Sequence, residues 1–235
     1  MKNYLLLTLS ILWANIASAQ TLHVPVGKNI DLSAFILQLP IAENNSVKQI
    51  EGADLQQYSS PFFYWSSHNE SINLFCNSDG ATTPNTHYPR TELRAKQEWH
   101  FKGNHALSVR IAVQKQPSTG RIIIGQIHGH SEGTEALKIW WNNGSIQVGF
   151  KNEVGTTEKL KTILENIKLG TVIDYQIIQT ESQVAVIING QKAQFEFGKS
   201  WKDQLVYFKV GNYLQDNKKQ VSSGLVALYS VRLDP

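Results

Sequence analysis

The chain has 235 residues, 41% hydrophobic and 17% charged, enough apolar side chain to bury a core and too much for a disordered chain. Its 7 prolines and 16 glycines exclude collagen-like and low-complexity classes, and its single cysteine, Cys76, excludes an intrachain disulfide or a multi-cysteine metal site. The formal charge of +3, from 22 Lys and Arg against 19 Asp and Glu, is too mild and dispersed for a nucleic-acid footprint but suits a polyanion if the excess collects in one cleft.

The first twenty residues, MKNYLLLTLSILWANIASAQ, run from one positive residue through an apolar stretch, Tyr4 to Ile16, to Ala17-Ser18-Ala19. That order is expected of a secretory leader, residues 1–19, cleaved after Ala19. The apolar stretch is shorter than the ~20 residues of a spanning helix, and no later segment is expected to cross a membrane. The mature chain, residues 20–235, is expected to be one domain, a monomer, secreted or periplasmic, with a net charge of +2 once Lys2 is removed.

Further along, β-rich runs recur between turn signals: Ala106–Val113, Arg121–Ile127, Ala136–Trp141, Ser145–Phe150, Val172–Gln179, Gln183–Ile188 and Leu225–Leu233. Asn143-Gly144 and Asn189-Gly190 fall between such runs and predict hairpins. Strands joined by hairpins without intervening helices predict an all-β, single-domain antiparallel sandwich or jelly roll. One stretch differs: Leu160, Ile163, Leu164 and Ile167 follow helical spacing, with Gly170 to end a turn or two of helix.

Side chains two apart share a face of a strand, and three segments then acquire an apolar back and a hydrogen-bonding front. Arg90-Thr91-Glu92-Leu93-Arg94 aligns Arg90, Glu92 and Arg94 opposite Leu93. In Arg121–His128, Gln126 lies beside His128, with Ile123 and Ile127 on the other side. Tyr207–Gln215 aligns Tyr207, Lys209, Gly211, Tyr213 and Gln215, with Phe208, Val210 and Leu214 behind. Antiparallel sheets often have one polar, solvated face, but such faces favour Lys, Glu, Thr and Ser. Arg, Gln, His and Tyr instead suit recognition and proton transfer.

RTELR at Arg90–Arg94, QIH at Gln126–His128 and YFKVGNYLQ at Tyr207–Gln215 resemble, in order and separation, the three signature segments of the polysaccharide lyase family 7 alginate lyases. Asp31-Leu32-Ser33 with Leu39-Pro40-Ile41, and Gly80-Ala81-Thr82-Thr83 leading into Tyr88-Pro89-Arg90, are similar to the family as well. One departure is Phe35-Ile36, where the family has an aromatic–Lys pair; lying far from the signatures, it is expected to affect packing only. The resemblance implies a jelly roll whose concave sheet holds an acidic polysaccharide, alginate. It also implies β-elimination at a 1,4-linked uronate, leaving an unsaturated sugar and needing no cofactor or metal. Arg90 and Gln126 would neutralise the carboxylate next to C5. His128 would be the base and Tyr213 the acid, Tyr213 serving both roles when the C5 proton lies on its side of the ring. Arg94, Lys209 and Gln215 would bind substrate, and Glu92 would orient the arginines. Isoleucine in QIH accompanies cleavage of guluronate-containing blocks in the family.

Other residues keep plainer readings. His128 and His130 have the spacing of zinc ligands on a strand, but no convincing third ligand appears. His130, His87, His100 and His105 read as surface or loop histidines. Of Trp140 and Trp141, on opposite faces of one strand, one is expected in the core and the other on the groove. A glycoside hydrolase would need two carboxylates across the scissile bond, and Glu92 is the only acidic residue in the three segments. A non-catalytic carbohydrate-binding sandwich leaves the His–Tyr pair unexplained. A lyase for another polyuronate, such as glucuronan, is excluded only by the resemblance.

Overall fold

The computed structural model describes residues 30–131, 133–218 and 220–234; the expected leader lies outside them. In chain order the strands are β1 (Phe35–Glu43), β2 (Ser46–Glu51), β3 (Phe63–Ser66), β4 (Ser71–Asn77), β5 (Arg90–Ala95), β6 (Asn104–Lys115), β7 (Arg121–Gly129), β8 (Glu135–Asn142), β9 (Ser145–Phe150), β10 (Lys159–Leu164), β11 (Ile173–Thr180), β12 (Gln183–Ile188), β13 (Gln191–Glu196), β14 (Val206–Leu214) and β15 (Ser223–Asp234). One short helix, α1 (Gly52–Gln57), follows β2, and a 3-10 turn, Lys199–Trp201, follows β13.

The strands form two antiparallel sheets, one of eight strands in the order β10-β9-β8-β7-β14-β5-β1-β2 and one of seven in the order β13-β12-β11-β6-β15-β4-β3. Alternation explains their packing. Leu37, Leu93, Ile127, Phe208 and Val210 of the first sheet and Leu74, Ile111, Ile177 and Val226 of the second share one buried cluster, leaving the polar alternate residues outside. Both expected Asn-Gly hairpins are present. Asn143 and Gly144 have φ of 48° and 81°, and Asn189 and Gly190 have 46° and 82°, the left-handed pair that matches strand twist. Long connections carry β14 between β7 and β5, so the three polar segments become neighbours.

Two expectations change. The stretch with helical spacing is strand β10, paired with β9. Its register slips between Thr162 and Leu164, leaving Ile163 and Leu164 both half-buried against the core, so a bulge mimics a helical period. In β7 the register slips against both neighbours near Gly125. Ile122, Ile124 and Ile127 all reach the core, so Ile123 faces outward, the reverse of simple alternation from Gln126. The buried Tyr175 of β11 fixes this bulge, donating to the Ile124 carbonyl at 2.8 Å. Its ring fills the space a side chain at 125 would take, for a Cβ there would lie 2.5 Å from the Tyr175 oxygen.

Gly125→Ala is therefore expected to destabilise by about 1–3 kcal/mol through overpacking, a fall in melting temperature of roughly 2–10 °C. Adding Tyr175→Phe removes the clashing oxygen, so the pair should lose less than the sum of the single losses in thermal unfolding. Strict additivity would show that Tyr175 does not set the bulge.

Candidate active site

The outer face of the eight-stranded sheet carries a cleft of about 300 Å³ whose walls include Gln38, Arg90, His128, Glu135, Tyr207, Lys209, the segment 83–86, and His130, Ser131 and Gly133. Segment 83–86 reaches it because Gly80 packs against β1, where an added Cβ would lie 2.6 Å from Cβ of Pro40. Across the sheet, Lys209 of β14 sits opposite Arg94 of β5 on one side and Gln126 of β7 on the other, while Tyr213 pairs with Arg90 and Ile123. Tyr207 stands opposite His128.

Beneath the cleft lies a fully buried carboxylate. Glu92 pairs with the Lys209 ammonium at 2.5 Å, accepts from the Gln126 amide at 2.5 Å, and stands 3.6 Å from the Arg90 guanidinium. Burial alone would raise its pKa, but Lys209 and Arg90 overcome that and hold it below the usual carboxylate value. Lys209 is 2% exposed, and burial together with Arg90 brings its pKa down to about 8. The two cations and one anion leave a buried excess of one positive charge. Arg90 keeps Nε and Nη2 without partners, although it is 4% exposed.

His128 is half-buried, with Nδ1 2.6 Å from the Gly129 carbonyl and 3.2 Å from the Tyr207 hydroxyl. A carbonyl can only accept, so Nδ1 carries the proton and Nε2 holds the free lone pair. Burial and the Lys209 charge press the His128 pKa to about 4, which keeps the ring neutral at neutral pH. Tyr213 keeps its proton too: burial raises its pKa against the lowering pull of the Arg90 guanidinium, 3.8 Å above its ring. Neutral base and protonated acid are the states a proton-transfer pair needs. Arg94 lies 3.9 Å over the Tyr207 ring and is paired with Glu98. Gln215 turns its amide towards the Tyr213 carbonyl at 3.4 Å.

The structure thus gathers Arg90, Glu92, Arg94, Gln126, His128, Lys209 and Tyr213 on one face, but redistributes their work. Lys209, expected to bind substrate, and Glu92, expected to orient the arginines among the substrate-binding residues, are engaged with each other below the surface. His130, expected as an ordinary loop residue, lines the cleft with Nδ1 3.4 Å from Glu98. Because His128 and His130 turn to different partners, they do not form a ligand pair; among the described residues no three His, Cys, Asp or Glu converge on a metal-binding position. Trp141 is in the core, whereas Trp140 faces outward under the Arg121 guanidinium, 4.5 Å from its ring, so it is no open platform. Ile36 pairs with Arg94, so the Phe35-Ile36 departure lies beside a signature segment rather than far from it. Two groups of the cleft escaped the sequence. Glu135 sits opposite His128 and is held to a pKa of about 2 by Lys151 and Lys138 against the opposing effect of burial. Gln38 was signalled only as a polar residue between Leu37 and Leu39, which both face the core.

Comparison with known proteins gives consistent results. The family profile described as "Alginate lyase" matches residues 30–234. No curated protein sequence matches. Among solved structures, alginate lyase A1-II', described as a member of polysaccharide lyase family 7, is 32% identical, with 88% of this chain and 97% of that one covered and a TM-score of 0.83. A variant of the same enzyme in complex with substrate (GGMG) is 31% identical, covering 90% and 96%, with a TM-score of 0.82. An alginate lyase from Pseudomonas aeruginosa is 26% identical, covering 87% and 99%, with a TM-score of 0.80.

Glu92→Gln should leave two buried cations without their anion and cost about 3–5 kcal/mol at pH 7. The lowered Glu92 pKa fixes the sign: its stabilisation is fully present above the unfolded value of about 4.3 and is lost as pH falls through the folded value. Thermal unfolding of wild type and variant should differ widely at pH 7 and draw together only as pH falls below the unfolded value towards the lower folded one; a constant difference would place the effect in packing rather than charge.

Proposed function

The chain belongs to the alginate lyases of polysaccharide lyase family 7, and on that premise we propose that this cleft cleaves alginate by β-elimination with Arg90, Gln126, His128 and Tyr213 as its reacting groups. The observation that carries the proposal is the buried excess of one positive charge ending in the unpartnered Arg90 donors. A uronate carboxylate is the group that completes it.

With the carboxylate held there, Nε2 of neutral His128 takes the proton from C5. The electron pair moves onto the carboxylate, where Arg90 and Gln126 stabilise the enolate-like charge as it develops. Collapse forms the C4–C5 double bond and breaks C4–O4, and the Tyr213 hydroxyl gives its proton to O4. No water is consumed. One proton has gone to His128 and one has left Tyr213, and exchange with solvent restores both. The leader-like first segment supports action in a secreted or periplasmic setting.

Guluronate-containing blocks fit this arrangement better than pure mannuronate. In guluronate the C5 proton and O4 lie on opposite faces, so base and acid must straddle the ring. His128 stands on β7 opposite Glu135, and Tyr213 stands on β14 against Arg90 with its hydroxyl also feeling the Glu135 charge, so base and acid reach the same part of the cleft from different strands. Ile127, buried in the core under Gln126 and His128, supports the same preference through packing.

Incubation with alginate should release unsaturated oligosaccharides that absorb in the ultraviolet, and Tyr213→Phe should reduce turnover by roughly 10²–10⁴-fold while leaving folding intact. Saturated products, or near-normal turnover in the variant, would overturn the mechanism. Initial rates on size-matched blocks should be higher for poly-guluronate or mixed blocks than for poly-mannuronate; the reverse order would overturn the preference but not the elimination.

A further inference from the structure

Gln38 occupies a peculiar position on β1. Leu37 and Leu39 beside it are completely buried in the core, so Gln38 points to the opposite face and into the cleft. It stands in register between Gln49 of β2 and Glu92 of β5 yet bonds to neither. Only 9% of the residue is exposed, and its Oε1 has no hydrogen-bond partner. Burying such an atom unpaired is unfavourable, and an apolar residue of the same shape would hold this strand at least as well. Packing therefore gives no reason for an amide here.

The chemistry of the cleft gives one. The groups around Gln38 are mostly cationic donors suited to carboxylates: Arg90 keeps two free N–H groups, and Lys209 is held beneath. The one carboxylate of the cluster, Glu92, is fully engaged. On the overlying segment, the Thr83 and Thr86 hydroxyls lie 3.0 Å apart, and Thr86 also donates to the Thr83 carbonyl. A sugar acid brings hydroxyls as well as a carboxylate, and each hydroxyl that leaves water needs a partner. A carboxamide can both accept and donate, so either orientation of the side chain serves. Gln38 lies three strands from Gln126, beyond Lys209 and Glu92, and so is placed for a sugar beside the one that Gln126 serves.

We infer that Gln38 is a substrate-binding residue that reads a hydroxyl of the uronate neighbouring the reacting one, on the β1 side of Arg90. The inference rests on the alginate lyase reading above. Since the neighbouring sugar does not change charge during elimination, the contact is equally strong in ground and transition states and acts on KM rather than kcat.

The test is Gln38→Met, which keeps the length and lack of branching of the side chain and removes the amide. On alginate, KM should rise on the order of tenfold with kcat within about twofold of wild type, and the melting temperature should rise by about 2–4 °C because an unpaired buried polar atom has gone. Weaker binding in a more stable protein is a combination that a merely structural glutamine does not give. An unchanged KM overturns the inference, and so does a lower melting temperature. Wild type assayed in parallel separates the two levels: unsaturated products from wild type with an unaltered variant overturn only the role of Gln38, whereas no unsaturated product from wild type overturns both.

Discussion

A carboxylate buried among two cations governs this molecule. Glu92 holds no exposed surface, yet Lys209, Arg90 and Gln126 all converge on it from three different strands. An ionised group so placed is tolerable only when it is paired and hydrogen-bonded, and the requirement is mutual: without Glu92 the ammonium and guanidinium would be left facing each other in low dielectric. The cluster stitches β5, β14 and β7 together. It also leaves the face overpaired with positive charge by one unit, which no side chain of the cluster removes. Binding an anion is thus built into the packing of the sheet.

The same cluster sets the protonation states around it. Lys209 helps keep His128 neutral, and Arg90 lies against Tyr213 without drawing off its proton. On the proposed mechanism, a substrate carboxylate that neutralises the excess charge would relieve the part of the pressure on His128 that comes from Lys209, while the larger part, from burial, stays. Glu135 reinforces this from the other side: its negative charge favours protonated His128, while the Lys151 ammonium, bonded to Glu135 at 2.9 Å and to the Gly133 carbonyl at 3.1 Å, holds it and the adjoining segment in place.

Much of this was legible in the sequence because alternation is a strong signal where one strand face is buried. The polar fronts of β5 and β14 follow period two, and the Asn-Gly pairs mark the β8–β9 and β12–β13 hairpins. Alternation failed where the ladder slips. In β7 the glycine at 125 was the available warning, since glycine within a strand often marks a bulge or a close approach, and Tyr175 supplies that approach. In β10 the bulge made strand positions look helical. Strand order was not legible at all, and hence neither was the closeness of Ile36 to Arg94 or of Gln38 to Glu92, because register across separated strands depends on the whole sandwich. Depth was the other blind spot: a period places Glu92 and Lys209 on the polar face but does not say that they lie beneath it.

That depth changes how charge on this face should be understood. Lysine and glutamate at a groove surface would be solvated, screened and individually replaceable, each contributing little. Buried against each other they are neither mobile nor screened, and so their charges can act at fixed distances on Arg90 and His128. Arg90 in turn cannot swing away to find another partner: its ring contact with Tyr213 and its proximity to Glu92 fix the plane of the guanidinium, and the unpartnered Nε and Nη2 remain as a preset fork. A fork held in advance needs no reorganisation when charge moves from C5 onto the carboxylate, which is where preorganised donors have their largest effect. The unsatisfied atoms of this face are accordingly a stability cost that the large two-sheet core offsets, and they mark the positions at which the protein is shaped for its substrate rather than for itself.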